Sequence, residues 1–360
     1  MTEETALTWS WLNVLTKARY EVLREVYGDL EQALCHLSPE LLRSLGCRED
    51  TALGALVRRE EFQISSYREE LRRRDVRFLS IDDGIYPSLL REIPDAPVFL
   101  YAKGDTSLLS APCIGMVGTR AMTPYGKSVT QAFVPTIVRA GVITVSGLAE
   151  GIDGEVARET IAASGKTVAV LGHGLSMIYP PSHRRLAEEI VKGGGLLLSE
   201  YPLDTTPTAY TFPARNRIIA GLSLGTVVLE APKESGSLIT AKLALDYGRE
   251  VFAVPGPIFE ETFQGCHALI AKGEARITSS PEEVLKECRI VTPEGGESSS
   301  YVPKSPDEER LLTILSSMPQ PMDAIVEKSG LEPPKASAAL TMMELAGAAR
   351  NIGNGQWVKA

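Results

Sequence analysis

The chain has 360 residues, a length that allows two or three domains, and 44% of them are hydrophobic, which suffices for a packed core. Its net charge of −9 argues against a surface coated with cations for non-specific nucleic-acid binding, so a polyanion site would need a few convergent arginines. No run of about 18 apolar residues occurs, which excludes a membrane-spanning helix and argues against a membrane partner.

The first residues and the cysteines indicate the cellular compartment and the absence of a metal site. The acidic start of the chain, Met1-Thr2-Glu3-Glu4, lacks the basic residues of a signal peptide, so we expect a cytoplasmic protein. The five cysteines are scattered singly, so the sequence predicts neither a disulfide framework nor a zinc site.

Residues 1–75 are predicted to form a small helical domain of the SAM or helix-hairpin-helix type. Leucine-rich periodic segments are interrupted at Gly28, Pro39 and Gly46. Short helices joined by a glycine turn sometimes contact the DNA backbone, but a packed helical domain explains the pattern equally well. The basic run at 72–74 ends a helix, where cations offset the helix dipole.

Between 76 and 290 short apolar runs alternate with helical patterns, which predicts an α/β domain with a doubly wound, mostly parallel, Rossmann-like sheet. Its opening unit is a strand at 113–118, a helix at 124–140 and a strand at 142–145. Right-handed crossover would bring the glycine-rich turns after both strands to one edge of the sheet. Helix N-termini and backbone amides at such an edge favour phosphate.

The last 70 residues divide into a linker and a small module. Residues 291–306 are rich in Pro, Gly, Ser and Glu and are predicted to be a flexible linker. Residues 307–360 carry three helical patterns and a hairpin signal at Asn354-Gly355, which predicts a winged-helix-like module. Its third helix has Lys335 as its one basic residue, which favours either a protein partner or a loss of DNA reading.

The sequence does not contain the common nucleotide-binding and catalytic motifs with the spacing that they require. The segment Gly126-Lys127-Ser128 resembles the end of a P-loop, but the leading glycine is replaced by Ala121 and the helix begins too early, at Pro124. The G-x-G-x-x-G fingerprint, the H-E-x-x-H pattern and the G-x-S-x-G elbow are also missing. The sequence therefore predicts no cofactor and no catalytic residues.

Potential anion donors follow successive strands and precede successive helices of the predicted sheet. They are Gly118, Thr119 and Arg120, then Ser146 and Gly147, then Arg184 and Arg185, then Arg215, Asn216 and Arg217, which we expect to open a helix, and finally Ser235, Gly236 and Ser237. Because all of these are expected at one edge, we interpret them as a phosphate-binding groove. Several sites along an edge suit the successive phosphates of a strand better than one small metabolite.

The chain carries an ordered set of motifs: Gly118-Thr119-Arg120 with Tyr125-Gly126, Ser146-Gly147-Leu148-Ala149-x-Gly151-Ile152-Asp153, Tyr179-Pro180, Phe212-Pro213-x-Arg215-Asn216-Arg217, Glu230-Ala231 with Ser235-Gly236-Ser237, and Val254-Pro255-Gly256. With these motifs it resembles a known family, the DNA-processing protein A family, also called DprA or Smf. The match covers the sheet domain from about 76 to 290.

The resemblance implies a cytoplasmic protein that binds incoming single-stranded DNA during natural transformation, protects it and helps load the RecA recombinase. It also implies a homodimer formed through the Rossmann-like domain and no catalysed reaction. Arg120 matches the arginine of the family's Gly-Ser/Thr-Arg motif, with Thr119 in place of the usual serine. Either Arg184 or Arg185 matches the basic position after Tyr-Pro, and 215–217 match the Arg-Asn-Arg motif.

A different class of function remains open as the alternative, a nucleotide-processing phosphoribohydrolase of the lysine-decarboxylase-like Rossmann group. Asp153 or Glu230 could provide its carboxylate. The Pro-Gly-Gly-x-Gly-Thr turn of that group is missing, because residues 231–236 read Ala-Pro-Lys-Glu-Ser-Gly.

Overall fold

The computed structural model describes residues 1–290, 303–316, 320–353 and 355–359. The chain divides into two compact units, Met1–Thr292 and Pro293–Ala360. Most of the linker expected from the sequence lies outside the described residues, so the linker and the domain boundaries stay predictions. Among the described residues, no helix combines the length and apolar character that a bilayer crossing requires.

The first unit begins with six helices that pack largely on one another. These are α1 (Glu3–Leu12), α2 (Lys17–Tyr27), α3 (Leu30–Cys35), α4 (Pro39–Ser44), α5 (Glu49–Glu61) and α6 (Ile64–Arg73). The first four begin at Thr or Asp or Ser residues whose side chains accept a backbone N–H, as expected for N-caps. The buried hydroxyls of Ser10 and Tyr101 lie 2.8 Å apart and join α1 to the sheet.

A nine-stranded sheet forms the centre of this unit. Its strands are β1 (Arg77–Ser80), β2 (Phe99–Gly104), β3 (Cys113–Gly118), β4 (Ile143–Ser146), β5 (Thr167–Leu171), β6 (Leu196–Ser199), β7 (Gly225–Glu230), β8 (Glu250–Ala253) and β9 (Arg276–Ile277). Their order is β1-β2-β6-β5-β4-β3-β7-β8-β9, with antiparallel pairing only at β1-β2 and β2-β6. The predicted mostly parallel, doubly wound sheet is confirmed.

Helices cover both faces of this sheet. They are α7 (Ser88–Glu92), α8 (Pro124–Arg139), α9 (Ile152–Ala162), α10 (Arg184–Lys192), α11 (Thr211–Leu222), α12 (Gly236–Asp246), α13 (Gln264–Ala271) and α14 (Pro281–Glu287). After β3 the chain builds β4 to β6 on one side and then returns to place β7 to β9 on the other. The boundary between β3 and β7 is therefore the switch point where open α/β sheets have their crevice.

The second unit has the predicted winged-helix composition. It contains α15 (Pro306–Ile314), α16 (Met322–Ser329), α17 (Pro333–Leu345), β10 (Gln320–Pro321), β11 (Ala349–Gly353) and β12 (Gln356–Lys359). The antiparallel pair β11-β12 forms the wing, and β10 pairs with β12 on its other side. Asn354, on which the hairpin prediction partly rests, lies outside the described residues.

A partly buried ion pair connects α11 to the end of β6. The Arg217 guanidinium donates two hydrogen bonds of 2.6 Å to the two carboxylate oxygens of Glu200, and both side chains are only 16% exposed. Its Nε also donates to the backbone oxygen of Asp95 at 2.9 Å. Such a bidentate pair holds its partners in one geometry, and removing one partner leaves a desolvated charge.

We therefore expect Arg217→Met to lower the free energy of unfolding by about 3 kcal/mol, because Glu200 loses its counter-charge in a largely buried place. Urea unfolding followed by circular dichroism measures this change. The control is Arg185→Met, since the Arg185 side chain is 91% exposed and pairs only with Glu189 among the described residues. That variant should change stability by less than about 1 kcal/mol. Equal effects of the two substitutions would contradict the role assigned to Arg217.

Candidate nucleic-acid interface

A groove of about 530 Å³ lies at the switch point between β3 and β7. Four segments line it: residues 117–120 at the end of β3, Ala149 and Asp153 in the turn after β4, residues 209–219 around the start of α11, and residues 232–240 at the start of α12. We call it the switch-point groove. Its position follows from the topology, because the loops after β3 and β7 diverge where the sheet changes direction.

A carboxylate of the chain itself closes the glycine-rich turn after β4. Asp153 is 7% exposed and accepts the backbone N–H of Gly147 at 2.9 Å. Burial raises the pKa of Asp153, while Arg215 and the backbone amides of Gly147, Gly118 and Ala149 oppose that rise. The amide predicted to bind phosphate at Gly147 is therefore already used inside the protein.

Ser146 occupies the same interior. Its side chain is fully buried, and its hydroxyl donates to the backbone oxygen of Asp153 at 3.3 Å. The structure thus places Ser146 and Gly147 behind the switch-point groove, where both support the turn. A phosphate contact from either residue would require this turn to open.

Arg215 is the cation that completes this turn. The sequence predicted that Arg215 opens a helix, and this prediction is wrong. The structure begins α11 at Thr211, so Arg215 lies in the second turn of the helix. Its side chain is 4% exposed and donates to the backbone oxygens of Gly147, at 2.6 Å, and Val170. Burial lowers the pKa of Arg215 to about 10, which leaves it charged at neutral pH.

Gly147 has to be a glycine because of this arginine. A Cβ atom at Gly147 would lie 2.3 Å from the Arg215 guanidinium, closer than any real contact. The two residues therefore form one packed unit, in which the backbone of the turn and the buried guanidinium specify each other.

A second internal carboxylate occupies the start of α8. Glu230, at the end of β7, is fully buried and accepts the backbone N–H of Thr123 at 3.0 Å. A Cβ on Gly126 would lie 1.7 Å from the same carboxylate oxygen, so the glycine allows the helix to approach Glu230. The P-loop-like Gly126-Lys127-Ser128 is thus explained by packing, and a negative charge already lies at the N-terminus of this helix.

Arg120 is the exposed cation at the mouth of the switch-point groove. It directly follows Gly118 and Thr119. The Thr119 side chain is buried, and its hydroxyl accepts the Ala121 N–H at 3.2 Å. The guanidinium carbon lies 5.3 Å from the ring centroid of Phe212, which supports it by a cation–π contact. Arg120 has no carboxylate partner within the described residues, so its charge faces the groove.

Phe212, which contacts Arg120, also packs against a second aromatic ring, that of Tyr179. The rings of Phe212 and Tyr179 lie 5.6 Å apart with a tilt of 43°, and Tyr179 is 44% exposed. Buried His173 positions that segment, because its Nε2 accepts the Tyr179 backbone N–H at 3.2 Å while its Nδ1, assigned as the protonated nitrogen, donates to the Gly174 oxygen at 2.9 Å.

The opposite wall of the groove consists of α11 and the start of α12. Asn216 lies on this wall and donates from Nδ2 to the Gly236 backbone oxygen at 3.2 Å. Ser235 caps α12 by accepting the Ser237 N–H, and the two hydroxyls lie 2.7 Å apart. The structure brings Asn216, Ser235, Gly236 and Ser237 together with Arg120, as the sequence predicted. Glu234 also lines this wall and adds a negative charge.

The remaining predicted arginines lie elsewhere. Arg217 is bound to Glu200, as described above, and does not line the groove. Arg185 is exposed on α10 and pairs with Glu189 at 2.9 Å. Arg184 is also exposed but lines a different groove beside α10. The structure therefore separates Arg184 from Arg185, which the sequence left as alternatives.

The two carboxylates needed by the phosphoribohydrolase alternative are committed to the fold. Asp153 holds the turn after β4, and Glu230 holds the start of α8. Glu230 is fully buried, and Asp153 is 7% exposed at the groove and already bonded to the Gly147 N–H, so the geometry gives that alternative no support.

Family comparison agrees with this architecture. The family model for DNA recombination-mediator protein A matches residues 77–289, and the DprA winged helix domain matches residues 297–355. Protein Smf of Escherichia coli is 41% identical over 273 residues, which cover 74% of this chain and 73% of that protein. DNA processing protein DprA of Bacillus subtilis is 44% identical over 225 residues, which cover 62% of this chain and 74% of that protein.

Two solved structures share the fold. The X-ray structure of DNA processing protein A from Streptococcus pneumoniae superposes with a TM-score of 0.67 at 34% identity, covering 80% of this chain and 98% of that one. DNA processing protein A from Helicobacter pylori, solved to describe its single-stranded DNA binding mode, gives a TM-score of 0.53 at 31% identity. The match covers 59% of this chain and 95% of that one. With a family model that spans more than half of its residues, the chain belongs to the DNA recombination-mediator protein A family of DNA-processing proteins.

Proposed function

We propose that this protein binds single-stranded DNA by its sugar–phosphate backbone in the switch-point groove. The observation that carries the proposal is Arg120, an exposed guanidinium held over Phe212 with no carboxylate partner in the described part of the chain. A phosphate placed there would meet an uncompensated cation, and charge-assisted hydrogen bonds of this kind are among the strong ones.

The opposite wall supports the same ligand. Asn216 and the start of α12 at Ser235 and Gly236 offer amide, hydroxyl and helix-terminal donors within the same groove. Tyr179 and Phe212 present rings on which bases could stack without being read. A relative from Helicobacter pylori is described for its single-stranded DNA binding mode, which supports this choice of nucleic acid.

In the cell, we propose that the protein protects incoming single-stranded DNA in the cytoplasm during natural transformation and helps load RecA onto it. It acts as a homodimer formed through the Rossmann-like domain and catalyses no reaction. The resemblance of its motifs to the DprA family and the internal use of Asp153 and Glu230 support this role.

Charge reversal tests the groove. Arg120→Glu should abolish binding of an oligothymidylate, because it replaces the exposed cation with an anion that repels phosphate. Fluorescence anisotropy at low salt measures the affinity, and we expect a loss of at least 100-fold. Circular dichroism should show an unchanged fold, since the side chain is exposed.

The matched control is Arg139→Glu. Arg139 is exposed at the C-terminus of α8, outside the switch-point groove, so the same change of charge should alter affinity by less than about threefold. Wild-type affinity in Arg120→Glu would exclude this groove as the DNA site. If both variants lost affinity equally, the loss would reflect the change in net charge and not a contact in this groove.

Loading of RecA can be followed separately. Added to a single strand coated with single-strand binding protein, the wild-type protein should shorten the lag before RecA hydrolyses ATP, whereas Arg120→Glu should leave the lag long because it no longer holds the strand. If both proteins shorten the lag equally, loading does not pass through this groove.

The oligomeric state is tested on the full chain. Sedimentation equilibrium should give twice the chain mass of 38.9 kDa at micromolar concentration. A mass of one chain throughout the concentration range would contradict the proposed homodimer and leave the groove assignment untouched.

A further inference from the structure

A second groove of about 470 Å³ lies alongside α10, and we call it the α10 groove. Four cations line it: Arg184 begins α10, Lys192 ends it, and Lys103 and Arg74 face them from the end of β2 and the residue after α6. Apolar side chains, Ile178 and Val191 among them, complete the lining. A groove with apolar side chains and cations together suits a ligand that is both flat and negatively charged.

The charge in the α10 groove is largely uncompensated. Lys103, Arg184 and Lys192 take part in no ion pair within the described residues, while Arg74 shares Glu70 with Arg73. Glu188 is an acid on the same lining. Three free cations against one free carboxylate leave a net positive surface on a chain whose total charge is −9. A polyanion is the ligand that such a surface attracts.

Tyr179 lines neither groove but connects the lining of one to the lining of the other. Ile178, which lines the α10 groove, directly precedes Tyr179, whose ring packs against Phe212 beneath Arg120. A strand that leaves Arg120 over this aromatic pair would therefore arrive at Arg184. From there α10 extends for nine residues to Lys192, a distance of roughly 12 Å at 1.5 Å per residue, which accommodates more than one nucleotide.

We propose that the α10 groove binds a second segment of the same single strand that occupies the switch-point groove. This inference rests on the proposed function, since it assigns the continuation of that ligand. Phosphates pair with Arg184, Lys103 and Lys192, and bases lie against the apolar lining. An acidic protein segment is the competing ligand, but continuity with the rings of Tyr179 and Phe212 favours the nucleic acid.

The experiment compares oligothymidylates of about 6 and about 16 nucleotides, lengths within the range that single-strand sites usually cover. Lys103→Gln combined with Lys192→Gln should weaken binding of the longer oligonucleotide at least tenfold and leave the shorter one unchanged. The slope of log affinity against log salt for the longer one should become shallower by about 1.4, because two phosphate contacts are lost at about 0.7 each.

The matched control is Lys286→Gln combined with Arg289→Gln. Both residues are exposed near the end of α14 and line neither groove. This variant should bind both oligonucleotides as the wild type does. Thermal unfolding of each variant checks that the fold is retained.

The outcomes separate the two grooves. If the Lys103/Lys192 variant binds the longer oligonucleotide with wild-type affinity and salt slope, the α10 groove does not hold the strand and the inference is overturned. If that variant instead loses binding of polyglutamate while retaining the longer oligonucleotide, the α10 groove serves an acidic protein and the inference also fails. Retained binding of the 6-nucleotide strand by Arg120→Glu would overturn the switch-point groove alone.

Discussion

The backbone of Gly147, bound from its two sides by the buried side chains of Asp153 and Arg215, is the point on which the edge beside the switch-point groove depends. Gly147 lies in the turn after β4 and faces α11. The Asp153 carboxylate accepts its N–H, and the Arg215 guanidinium donates to its carbonyl oxygen. Two isolated charges in that interior would be very costly, and they are tolerated because each is hydrogen-bonded to backbone groups of opposite polarity and lies within the electrostatic influence of the other. These bonds tie the turn after β4 to α11, on which Phe212 supports Arg120.

Helical geometry explains why neighbouring residues of one motif have different functions. Successive residues of an α-helix are rotated by about 100°, so 215, 216 and 217 cannot share a face. In α11 the first points into the sheet, the second lines the switch-point groove and the third binds Glu200. Asn216 is therefore the accessible groove residue of the motif, while Arg215 lines the groove but is only 4% exposed and Arg217 ties α11 to Glu200.

Much of this could be predicted from the sequence, and the remainder could not for identifiable reasons. Strand β3 and the start of α8 follow from local pattern, and the mostly parallel, doubly wound sheet follows from the alternation of strands and helices. The sequence also brings Arg120, Asn216 and 235–237 to one edge. It does not show that Asp153 occupies the neighbouring amides, because a carboxylate of the chain itself and an approaching phosphate leave the same glycine pattern.

The buried arginines also bear on how an acidic chain would hold the proposed single strand. Arg217 is paired with Glu200, and Arg215 is 4% exposed and bonded to backbone oxygens, so neither offers an exposed cation to the groove. Arg120 remains as the exposed positive charge of that groove, and Glu234 opposes it. Binding there must consequently draw on hydrogen bonds from Asn216 and the start of α12 and on the aromatic rings as well as on charge, which suits a strand held by its backbone and stacked bases rather than by bulk attraction.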